Sequence, residues 1–85
     1  KSSTARLYPN PIQTWQVITV EADFPAEELE NMQISLYTVS GQLVKTLKSS
    51  TVKTEVQLPD AESNMYVVVI ETPNIKKTLK IIVNK

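Results

Sequence analysis

The sequence predicts an all-β fold, an antiparallel β-sandwich of six to seven short strands. Three observations predict it. Apolar residues recur with a period of two along most of the chain, the pattern of strands with one buried face. Clusters of turn-forming residues separate these runs at short, regular intervals. No helical pattern is long enough to cross over between parallel strands. Eighty-five residues make one domain with a single two-layer core, burying roughly 60–65% of the surface its unfolded chain exposes.

Near the start of the chain stands Leu7-Tyr8-Pro9-Asn10-Pro11. Proline fixes φ and drives the residue before it into extended conformations, so Tyr8 and Asn10 lead the chain into the domain along a defined path. This segment reads either as a docking element or as a rigid lead-in. Residues 15–22 form a strand whose facing is open: Ile18 and Val20 point inward, or Trp15 and Val17 do, or a bulge serves both. Residues 24–31 have the one helical signal. Pro25 suits a first helical position, and Glu27 and Glu28 complement the helix dipole, so one helical turn or a solvated acidic loop both fit.

Met32, Ile34 and Leu36 alternate with Gln33 and Ser35, and after a turn Leu43, Lys45 and Leu47 alternate with Val44 and Thr46. The turn holds Ser40 and Gly41, the single glycine of the chain, placed where φ > 0 would cost a residue bearing Cβ. A polar connection over 48–51 leads to Thr54, Val56 and Leu58, alternating with Lys53, Glu55 and Gln57. A longer connection, 59–64, ends in Asn64, a residue that tolerates the left-handed conformation. Residues 65–70 are continuously apolar, as a strand central in its sheet would be, and Tyr66 reads as core. Thr72-Pro73-Asn74 is a turn before the last strand, where Leu79, Ile81 and Val83 alternate with polar residues and Ile82 is the exception. Such a series reads as an immunoglobulin-like sandwich, without the inter-sheet disulfide of antibody domains.

Side-chain chemistry narrows the function. There is no His and no Cys, which removes Ser-His-Asp and Cys-His nucleophile systems, the usual zinc ligands and any disulfide framework. The nine carboxylates sit mostly beside turns or in one charge run, whereas glycosidase chemistry needs two of them across a cleft. The expectation is a domain with no catalytic residue, no cofactor and no metal. Charge balances overall, but residues 1–40 hold two basic against five acidic groups and residues 41–85 seven against four. Net zero charge with five aromatics argues against nucleic-acid binding. No apolar run approaches the ~18 residues of a membrane span. The first residues lack the apolar core of a signal peptide, so an exported protein would carry its signal upstream of this piece.

Three motifs go beyond a generic sandwich: the Tyr8-Pro9-Asn10-Pro11 element, the strand-turn-strand around Ser40-Gly41, and Asn64-Met65-Tyr66 before a hydrophobic strand followed by Leu79-Lys80-Ile81-Ile82-Val83-Asn84-Lys85. In this order they resemble the C-terminal sorting domain of the type IX secretion system of Bacteroidetes, across nearly the whole chain. Asn64 stands where that family usually has Gly. The resemblance implies a secretion signal at the end of an exported cargo, with residues 1–5 a linker from that cargo and residues 6–85 the sorting domain. Its partners would be the outer-membrane secretion machinery, the upstream cargo and, in many members, a sortase-like peptidase that removes the domain by a cut upstream of Tyr8 and attaches the cargo to an anionic lipopolysaccharide. Its route would run through the periplasm to the outer-membrane surface or the medium. A chain that ends soon after a strand, on Asn84-Lys85, suits a sorting domain.

The candidate recognition residues are those of the motifs, Tyr8, Pro9, Asn10, Pro11, Gly41 and Lys85, together with an outward strip on the sheet. If Tyr66, Val68 and Ile70 face the core, then Val67 and Val69 face out, with Tyr37 and Ile82 beside them and Lys80 at the border. Strand addition at an exposed edge, including self-association, is a second mode of recognition. Two other functions compete: an immunoglobulin-like accessory or adhesion domain, and a carbohydrate-binding module stacking sugars on Trp15 and Tyr37.

Overall fold

The computed structural model describes residues 3–10, 12–13, 17–58 and 65–84. Among them, eight strands and one short helix follow in chain order: β1 (Thr4–Tyr8), β2 (Ile12–Gln13), β3 (Val17–Asp23), α1 (Ala26–Leu29), β4 (Met32–Thr38), β5 (Leu43–Ser49), β6 (Lys53–Gln57), β7 (Met65–Glu71) and β8 (Lys76–Asn84). They make two sheets, one ordered β1-β3-β6 and the other β2-β8-β7-β4-β5. The all-β sandwich is the predicted fold. Pairings are antiparallel except for β2, which runs parallel beside Val83 and Asn84 of β8.

The core lies between the sheets and follows from the alternation. Ile18, Val20, Ala22, Val56 and Leu58 face it from one layer; Met32, Ile34, Leu36, Tyr66, Val68, Ile70, Ile81 and Val83 face it from the other. With Phe24 and Leu29 closing one end, fifteen apolar residues are buried among those described. At roughly 1.5–3 kcal/mol for each fully buried large aliphatic side chain, this burial is the dominant favourable term, and it operates without a cross-link. The apolar strand β7 is central, between β8 and β4.

The structure settles what periodicity left open and changes three expectations. In β3 the inward residues are Ile18, Val20 and Ala22, with Val17 40% exposed; Trp15 lies outside the described residues, as do Pro11, Asn64 and Lys85. First, β1 is an additional strand, antiparallel to β3 and already paired at Thr4 and Ala5, inside the segment read as a linker. Second, Leu43, Lys45 and Leu47 do not share a face. A register shift at Leu36/Tyr37 puts Leu43 opposite outward Tyr37, while Lys45 and Leu47 stay opposite inward Leu36 and Ile34.

Third, the acidic run is not simply solvated. Pro25, expected at the first helical position, is instead the N-cap of α1, and the single turn carries Glu28 against the loop between β7 and β8. Glu28 is 8% exposed. Its Oε1 accepts from Thr72 Oγ1 at 2.6 Å and from the Asn74 backbone N–H at 3.0 Å, and its Oε2 accepts from Asn74 Nδ2 at 2.8 Å. Thr72 Oγ1 in turn accepts from the Ile75 N–H at 3.0 Å. One carboxylate thereby organises the turn that launches the last strand.

These donors, Thr72 first and then Asn74, hold the Glu28 carboxyl below its ordinary pKa of 4.5 against a smaller opposing effect of burial. A lowered folded-state pKa contributes stability that is present above the unfolded value and is lost as pH falls through the folded one. Glu28→Gln is therefore expected to lower the denaturation midpoint at neutral pH. The gap from the parent should close as pH falls from above 4.5 through the lowered folded-state value. Thermal melts of both chains across that range check this, and a pH-independent gap would contradict it.

Candidate functional site

Paired residues in antiparallel strands project to the same face, so the registers map the outer surface of the five-stranded sheet row by row. At one end Ile82 stands opposite Met65. In the next row Lys80, Val67, Tyr37 and Leu43 follow one another across β8, β7, β4 and β5. Then come Thr78, Val69, Ser35 and Thr46, and last Lys76, Glu71, Gln33 and Lys48. The face thus grades from an apolar end to a polar one. Val67, Val69, Tyr37 and Met65 are half-buried among their neighbours, while Ile82 and Leu43 are 46% and 52% exposed.

This places the predicted strip residues Tyr37, Val67, Val69, Lys80 and Ile82 on one face. Two further members were not read from the sequence. Met65 begins β7, one alternation step before Val67, and extending the same period would have found it. Leu43 joins only through the irregular register at Leu36/Tyr37, which leaves no sequence signal. Gly41 belongs to the adjacent hairpin turn at φ 95°, where its N–H donates to Thr38 O at 3.0 Å. A Cβ there would meet nothing within 4 Å, so the backbone angle requires glycine and space does not.

Tyr8, Pro9 and Asn10 are elsewhere. Tyr8 lies opposite Thr19 on the outer face of the three-stranded sheet. Its hydroxyl donates to Glu21 Oε1 at 3.0 Å, beside the Arg6–Glu21 ion pair at 3.1 Å, and the Arg6 guanidinium sits 5.4 Å from its ring centroid. The Tyr8-Pro9 peptide is cis. Two residues beyond Tyr8, the Asn10 side chain reaches the other sheet: Nδ2 donates to Lys80 O and Oδ1 accepts from the Ile82 N–H, each at 3.1 Å. The Tyr-Pro-Asn element therefore ties the two sheets together at one flank. The opposite flank is joined by Lys45 Nζ donating to Gln57 O at 3.2 Å and by the Ser49 and Thr54 hydroxyls at 2.6 Å.

Beside the polar end of β4 and β5 lies a concavity of about 450 Å³, with Glu30, Gln33 and Lys48 in its wall. It presents a single carboxylate, so it offers no facing carboxylate pair. Among the described residues no three acidic groups gather where they could hold a metal ion.

Fold and surface define a small β-sandwich module that displays a graded sheet face and a stapled lead-in segment. The family model for the secretion system C-terminal sorting domain matches residues 6–84. The chain belongs to that family, the C-terminal sorting domains of type IX secretion, whose signal directs export across the outer membrane to a secreted or surface-bound state. No curated protein and no solved structure matches it.

Glu21 is held below the ordinary carboxylate pKa, chiefly by the Tyr8 hydroxyl and then by Arg6, while partial burial and Glu21 raise the Tyr8 phenol. Tyr8→Phe removes that donor, so the Glu21 carboxyl is expected to titrate at higher pH than in the parent chain. Carboxyl carbon NMR across an acid titration reads this directly. An unmoved Glu21 would mean that Arg6 alone sets its charge.

Proposed function

We propose that residues 6–85 are a non-catalytic address reached from an upstream cargo through residues 1–5, the last two of which already pair in β1, and that the apolar end of the five-stranded face is what the secretion machinery recognises. The observation that carries the first part is the family match over 6–84. The second rests on Ile82, Met65, Val67, Tyr37 and Leu43 gathering at one end of the face, with Lys80 among them. Apolar side chains concentrated there, rather than scattered, are the composition of a docking surface.

In this reading the domain crosses the periplasm as the tail of its cargo and engages the outer-membrane machinery. A sortase-like peptidase then cuts upstream of Tyr8, and the cargo is fixed at the surface. The domain is handled by the chemistry of others, in keeping with a chain that holds neither His nor Cys. The edge of β5, whose residues are exposed apart from half-buried Leu47 and Ser49, is where a second copy would pair.

Fusing residues 1–85 to a periplasmic reporter in a type IX-competent bacterium tests the address. Reporter is expected outside the cell, and reporter retained in the periplasm would leave the accessory or adhesion reading in its place. The face is tested by Val67→Thr with Val69→Thr, which keeps β-branching and shape. The melting temperature should stay near that of the parent while export falls on the order of tenfold, as when central contacts of an interface are lost. Full export by the folded variant would remove the face from the mechanism.

A further inference from the structure

Both sheets end at the flank where β5 and β6 meet. Among the described residues, β5 is the last strand of the five-stranded sheet and β6 the last of the three-stranded one. A strand in that place offers its backbone to any chain that can lie beside it. On β5 the side chains add to the attraction. All seven residues are exposed apart from half-buried Leu47 and Ser49. Leu43 and Val44 are 52% and 37% exposed, and Val44 and Thr46 are of the β-branched type that suits strands. An edge of this kind, left bare, is a site for pairing with a second copy.

Lys45 is out of keeping with such an edge. It stands opposite Leu36, which is 2% exposed, so its side chain leaves the sheet on the inner side. From there its Nζ crosses the mouth of the flank and donates to Gln57 O of β6 at 3.2 Å. On the same inner side, beyond Leu47, the Ser49 and Thr54 hydroxyls meet at 2.6 Å. The inner margin of β5 therefore reads lysine, leucine, serine, where a strand continued by a neighbour would be apolar throughout.

A chain added beside β5 would extend both faces of the sheet, and its residue facing Lys45 would lie over the ammonium. The ammonium would lose water, and a second copy would bring it no counter-charge. The strand runs Leu43-Val44-Lys45-Thr46-Leu47-Lys48-Ser49, without a carboxylate. Whatever register two β5 strands take, the residue facing Lys45 is neutral or another lysine. Desolvating a charge without pairing it is strongly unfavourable. We propose that Lys45 guards this edge: its inward ammonium keeps a second copy of the chain from pairing at β5 and so holds the domain single. Leu43 and Val44 supply the attraction, and Lys45 cancels it.

Sedimentation equilibrium on residues 1–85, with amide exchange by NMR, tests this. The parent chain is expected to stay monomeric. Lys45→Thr, neutral and suited to strands, should dimerise at least about tenfold more tightly than the parent. The β5 amides that exchange freely in dilute solution should be protected in that dimer. Lys45→Gln keeps a hydrogen-bond donor at the end of the side chain and should associate as well, because the guard is the charge and not the bond to Gln57. If both variants fold and stay as monomeric as the parent, the guard is overturned, and a fall in melting temperature alone would make Lys45 only a tie across the flank. A dimer of either variant whose β5 amides stay unprotected would also overturn it, as would a parent chain already paired through β5. None of these outcomes depends on export, so the address can fail while the guard stands.

Discussion

Two sheets pressed together by apolar side chains form a stable interior but leave the sandwich open along its flanks and at its ends, and the rest of this structure follows from that constraint. Burial is non-directional: it brings Ile18, Val20 and Val56 against Ile34, Val68, Ile70 and Ile81 without stating how the margins close. The chain closes them with directional polar contacts. Lys45 to Gln57 and Ser49 to Thr54 join one flank, and Tyr8 with Asn10 spans the other. Glu28, lifted by the single turn of α1, fixes the loop between the last two strands.

These contacts serve stability, and the proposed recognition face is built differently. Of them only the Asn10 side chain reaches the apolar end of the outer face of the five-stranded sheet, where Ile82, Met65, Val67, Tyr37 and Leu43 meet, and it does so through the backbone of Lys80 and Ile82. That surface is positioned chiefly by backbone pairing: β7 is clamped between β4 and β8, and their registers bring side chains distant in sequence into one row. A sorting signal is suited by such an arrangement. The core holds the sheet rigid from behind, and side chains in front can change without loss of the fold, because β-branched residues suit strands whichever way they point.

Much of this was legible in the residue order. Alternation located β4, β6 and β8, a continuous apolar run located β7, the glycine marked its turn, and the ordered motifs pointed to the family that the match over 6–84 establishes. The outward strip was legible too, since a period of two assigns faces once a buried residue is known. What stayed hidden depends on pairing between distant segments. Strand β1 has only Ala5 and Leu7 on its inner face, too short a pattern to distinguish from a loop. The irregular register that turns Leu43 outward is a property of two strands and not of either one. Glu28 reads as one more member of an acidic run until Thr72 and Asn74 are brought beneath it from 44 and 46 residues away.

By itself the sequence determined the fold class, the identity of the core strands and the absence of His and Cys, because those depend on local period and composition. The tertiary structure alone decided that Tyr8 and Asn10 staple opposite sheets, that a buried carboxylate organises the final turn, and that a side-chain amide bonds the backbone on either side of Ile81. The physical reason is the same in each case. A hydrogen bond is directional and acts over about 3 Å, so its partners are known only once the fold has brought their elements together. Apolar burial needs only the correct face, and a face is written in the order of the residues.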